Sequence, residues 1–177
     1  MKNFSDLLPV TVWSLVLPAL TFPLIYGALR LSPSITFKTG DTTLEYLLGI
    51  LLMSVVMIVV HEGLHGLVFW ITTREAPQFA FRWYYASTSA GNWYLPRRPF
   101  MIATLLPLVL ITVVGVVLIP FVGPWLRFLL ILLVVFNASG ASGDLLVALR
   151  MRKLSRDVLA HDSGAEVTFY IPGNPVA

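Results

Sequence analysis

The sequence predicts an all-α membrane protein with four transmembrane helices and a short β-hairpin in the connection between helices two and three. Three observations carry this expectation. Of 177 residues, 57% are hydrophobic and only 12% charged, too few polar groups to cover a soluble domain of that size. Apolar runs recur at roughly 8–29, 44–72, 100–122 and 124–150, each long enough to cross a hydrocarbon layer of about 30 Å. Between the second and third runs, aromatic residues recur with a period of two, the signature of a strand. The length suits one integral membrane domain spanning 1–177, with 151–177 as a tail.

The first run carries Pro9, Pro18 and Pro23, so a kinked helix is expected, with neighbouring helices satisfying the freed backbone groups. Lys2 ahead of an apolar stretch resembles a leader peptide, but the stretch is read as a retained first helix. The second run is the longest, and past its first turn its ionisable residues are His61, Glu62 and His65. Only Val122, Gly123 and Pro124 separate the third and fourth runs, which predicts a tight helical hairpin with Pro124 opening the fourth helix. In the connection, Phe79, Phe81, Trp83 and Tyr85 alternate as a strand, Ser87 to Asn92 read as a turn, and Trp93-Tyr94-Leu95 as the returning strand. Val167, Phe169 and Ile171 alternate in the same way.

Four crossings place both termini and residues 73–99 on one side. That side holds Lys2, Arg74, Arg82, Arg97, Arg98, Arg150, Arg152, Lys153 and Arg156, against Arg30, Lys38 and Arg127 on the other. The excess predicts a multi-pass protein of the cell membrane with cytoplasmic termini. A net charge of +3, scattered along the chain, excludes a nucleic-acid-binding class and leaves the lipid bilayer as the expected partner. The chain has no cysteine, which excludes disulfides, thiolate metal sites and a cysteine nucleophile.

The chemistry lies in His61-Glu62-Gly63-Leu64-His65. Two histidines four residues apart share one helix face and can ligate one metal ion, with the intervening glutamate as base for a metal-bound water. Ionisable groups at mid-helix depth cost about 2.5–3.5 kcal/mol each on insertion scales, so three within one turn point to a compensating cation such as zinc (Zn2+). A zinc hydrolase needs a third protein ligand and one open position. His161 reads better as a solvated tail residue. Asp144 is the sole acidic residue of the fourth run. At 1.5 Å per residue, it and His65 lie at nearly equal depth, roughly 10 Å inside the cytoplasmic helix ends. The preceding Ala138-Ser139-Gly140-Ala141-Ser142-Gly143 supplies small residues that let helices approach closely. Asn137, two turns before Asp144 on the same face, reads either as a holder of a substrate carbonyl or oxyanion or as an interhelical hydrogen-bonder.

These residues resemble those of site-2-type intramembrane metalloproteases, in which a histidine-glutamate motif on one membrane helix meets an aspartate on a later one. They are more similar still to the zincin peptidase family of small bacterial membrane proteins, through His61 to His65 and the Ser142-Gly143-Asp144 run. The resemblance covers the chain from the second helix onward. It implies His61, His65 and Asp144 as metal ligands, Glu62 as the base, and cleavage of membrane protein or peptide substrates. The main site-2 pattern has a proline where Gly140 stands and one residue more between asparagine and aspartate. The competing expectation is a non-proteolytic membrane protein that binds or transports metal or serves as a regulatory subunit. A single compact polar layer argues against a transport pathway, which needs polar groups across the bilayer.

Overall fold

The computed structural model describes residues 4–31, 43–82, 85–164 and 166–171; Lys2, Lys38, Trp83 and residues 172–177 of the expected tail lie outside them. In chain order the elements are α1 (Phe4–Arg30), α2 (Thr43–Thr73), β1 (Gln78–Arg82), β2 (Tyr85–Ser89), β3 (Tyr94–Pro96) and α3 (Arg97–Leu118). A 3-10 turn (Ile119–Phe121) then leads to α4 (Pro124–Gly140), α5 (Ser142–Arg152), β4 (Leu159–Asp162) and β5 (Val167–Tyr170). The described residues are mostly helical, with two small antiparallel sheets. Among the described residues, three helices are long and apolar enough to cross a membrane, within Val12–Arg30, Leu44–Thr73 and Arg97–Phe121, or four if the bent pair α4 and α5 counts as one span.

That bend corrects the single helix expected over 124–150. The helix stops at Gly140 and restarts at Ser142, with the Ala141 N–H turned onto the Asn137 and Ser139 carbonyls. Glycine and serine are weak helix formers and common at sharp kinks. The small residues expected to serve close packing also break the helix. The break leaves Asp144 in the first turn of α5, where the partial positive charge of a helix start favours a carboxylate.

The described chain forms two compact units. One comprises residues up to Val59 with Leu108–Ser142, the other Val60–Pro107 with Gly143 onward. In the first, α1 packs against α4 around Ile25, Ala28, Ile119, Leu130 and Val134. Tyr46 meets Phe128 edge-on, with ring centroids 5.5 Å apart. The buried Arg127 donates through Nε to the Ile119 carbonyl at 3.1 Å and through Nη2 to that of Val122 at 2.9 Å. The guanidinium thus ties together the carbonyls at the start of the 3-10 turn and just past its end.

In the second unit, Phe69, Leu95, Phe100, Ala103, Met151, Val158 and Ala160 form one apolar core. The β1–β2 hairpin pairs Phe79 with Thr88 and Arg82 with Tyr85, so the returning strand begins at Tyr85, earlier than the sequence suggested. Ser87 to Ser89 are strand rather than turn, because Thr88 and Ser89 are buried. The turn comes later, with the Trp93 N–H on the Ala90 carbonyl and Gly91 at φ +62°, a conformation that favours glycine. Tyr94-Leu95-Pro96 is therefore not the return of that hairpin. It pairs with β4, and β4 with β5, in the order β3-β4-β5. This sheet also claims His161, which is no solvated tail residue: it lies opposite Tyr94 and Thr168, its ring 5.1 Å from that of Tyr94.

Candidate metal centre

One turn of α2 sets His61 and His65 on the same side, their ring centroids 4.9 Å apart and their planes crossing at 73°. Both are buried, at 8% and 9% exposure. Asp144 of α5 points one carboxylate oxygen at both: Oδ2 lies 3.2 Å from His61 Nε2 and 3.5 Å from His65 Nε2. One donor atom from each residue falls within 4.8 Å of the others, and this is the group of three metal-capable side chains found among the described residues.

The donor set fits zinc. Two imidazole nitrogens and one carboxylate oxygen belong to its ordinary ligand chemistry, and bonds of about 2.0–2.1 Å at tetrahedral angles separate ligand atoms by roughly 3.3 Å. The two separations around Asp144 Oδ2 bracket that value. His65 is also oriented from behind: its Nδ1 lies 2.9 Å from the Ala103 carbonyl on α3. A carbonyl only accepts, so Nδ1 carries the proton, and Nε2, on the side of Asp144, is the nitrogen left to ligate a metal.

Glu62 is held by a residue the sequence did not single out. Thr88 Oγ1 of β2 lies 2.8 Å from Glu62 Oε2 and 3.1 Å from the Glu62 main-chain carbonyl. The hydroxyl has one proton, and the shorter contact to the carboxyl oxygen claims it. Nothing local in Ser87-Thr88-Ser89 marks this role, which exists only because the hairpin folds onto α2. Asp162, also unmarked, lies on β4 with its Oδ1 accepting the Gly164 N–H at 2.7 Å. Burial raises its pKa above the ordinary carboxylate value. The Gly164 N–H and the His65 charge oppose that shift, while Asp144 and Glu62 add to it. Asn137 belongs to the first unit, fully buried, its amide nitrogen donating to the Leu108 carbonyl at 3.4 Å.

Two histidines one helical turn apart with a glutamate beside the first are the motif of the zincin class of metallopeptidase, and Asp144 adds a third possible donor. Comparison with known families agrees. Residues 54–159 match the model of the family described as "putative zincin peptidase", more than half of the chain, and the protein belongs to that family. No curated protein and no solved structure matches it.

Proposed function

We propose that the protein is an intramembrane zinc metalloendopeptidase of the cell membrane, with cytoplasmic termini, that hydrolyses peptide bonds of membrane-associated substrates. The observation that carries this is the convergence of His61, His65 and Asp144 beside a glutamate whose carboxylate is held by Thr88. Zinc held by the three donors would act as a Lewis acid and make water ionisable near pH ~7. Glu62 takes the proton of the attacking water and returns it to the leaving amine, so that water adds across the C–N bond. Thr88, bonded to Oε2, fixes the direction in which the carboxylate faces. The β1–β2 hairpin offers strand edges on which a locally unwound substrate can be held extended by main-chain hydrogen bonds.

The test is Glu62→Gln in protein reconstituted into vesicles with a reporter membrane peptide. Zinc content should be unchanged and cleavage abolished. Equal membrane-peptide patterns from wild type and variant would instead support a non-proteolytic metal-binding protein.

A further inference from the structure

α3 contains a proline, Pro107, inside its helical run. Proline has no N–H, so the carbonyl four residues earlier loses its helical donor, and the ring pushes that carbonyl away from the helix axis. Four residues before Pro107 stands Ala103. This is the carbonyl that receives His65 Nδ1 at 2.9 Å. Ala103 and Pro107 are both fully buried, so no bulk water is available to that oxygen, and a buried acceptor left without a donor is destabilising. With alanine at 107, the helix itself would supply the donor, and His65 would compete for a carbonyl already engaged.

We propose that Pro107 is a positioning residue for the metal centre: by withholding a backbone N–H it frees the Ala103 carbonyl to fix His65 in the tautomer whose Nε2 faces Asp144. The proline touches neither metal nor substrate; it acts through Ala103 and His65. This rests on the reading of His61, His65 and Asp144 as zinc ligands. It goes beyond that reading by assigning a role to a residue outside the motif.

Two measurements test it, and neither requires cleavage. In zinc-loaded wild-type protein labelled with 15N-histidine, the His65 resonances should report a proton on Nδ1 and none on Nε2. The opposite tautomer overturns the proposal without recourse to any variant. Zinc affinity is then compared among wild type, Pro107→Ala, and a chain with lactic acid at 107, whose ester linkage also lacks the N–H. Pro107→Ala should bind zinc about 10- to 100-fold more weakly, the usual cost of losing a partner behind a ligating histidine. The ester, which has alanine's side chain but no donor, should recover wild-type affinity. Equal affinity in Pro107→Ala and wild type, or equal loss in the amide and ester chains, overturns the proposal. Failure of the wild type to bind zinc would instead remove the ligand assignment beneath it.

Discussion

The hydroxyl of Thr88 donates to Glu62 Oε2 at 2.8 Å, tying a strand of the hairpin to the acidic residue of the helical motif. Hydrogen bonds to charged groups contribute about 1.5–3 kcal/mol. If that bond directs the general base, Thr88→Val should lower kcat by roughly 10- to 100-fold. Zinc content should not change, because Thr88 touches no candidate ligand in the described contacts. Thr88→Ser, which keeps the hydroxyl, should recover most of the rate. A valine variant with full activity would separate the hairpin from the chemistry.

The three-donor geometry makes a second prediction, on stoichiometry. Metal analysis of purified protein should give one zinc per chain, and His61→Ala, His65→Ala or Asp144→Ala should each reduce it. Because an unfolded chain offers no preformed site, zinc should also stabilise the fold, by about 4 kcal/mol at a thousandfold excess over Kd. The rise in melting temperature should vanish in Asp144→Ala. Zinc retained in that variant would refute Asp144 as the third ligand, whatever the activity.

How much of this was readable in advance depends on the range of the interaction. His61, Glu62 and His65 are fixed by helical periodicity within five residues, and Asp144 was conspicuous as a lone acid in an apolar run. Thr88 was invisible because its role depends on the pairing of β2 with β1 and on the contact of β2 with α2. The pairing of Tyr94 with His161 joins segments far apart in sequence, beyond what strand periodicity can indicate. The break at Ala141 lay in a stretch whose small residues favour close packing and helix interruption alike. Pro107 did carry a usable signal: a proline inside an apolar helix announces a carbonyl in need of a donor four residues earlier.

Glycines in the first unit give a contrast in packing. A methyl group at Gly115 would come within 2.5 Å of Val134 Cγ2, and Val134 is wholly buried in the core of that unit. Its β-branched side chain has little rotameric freedom with which to yield. Gly115→Ala should therefore destabilise, the overpacking cost of about 1–3 kcal/mol exceeding the gain in helix propensity of roughly 1 kcal/mol. At Gly140 nothing lies within 4 Å of the added carbon, so Gly140→Ala should be neutral or slightly stabilising. Thermal denaturation of the two variants side by side decides the point, and a lower melting temperature for Gly140→Ala would mean that the break itself needs glycine.

Asp162 gives the pH dependence. Burial holds its carboxyl pKa above the ordinary value of 3.8, so the folded chain binds that proton more tightly than the unfolded one. The contribution to stability is therefore complete below pH 3.8 and is lost as pH rises through the raised folded value. Asn at this position keeps an oxygen for the Gly164 N–H and cannot ionise. In chelator-treated protein, where no bound cation offsets the carboxylate, Asp162→Asn should melt higher than wild type at neutral pH. That advantage should shrink toward its acid limit as pH falls through the folded pKa. A difference constant across the titration would show that the Asp162 carboxyl is not held above its unfolded value.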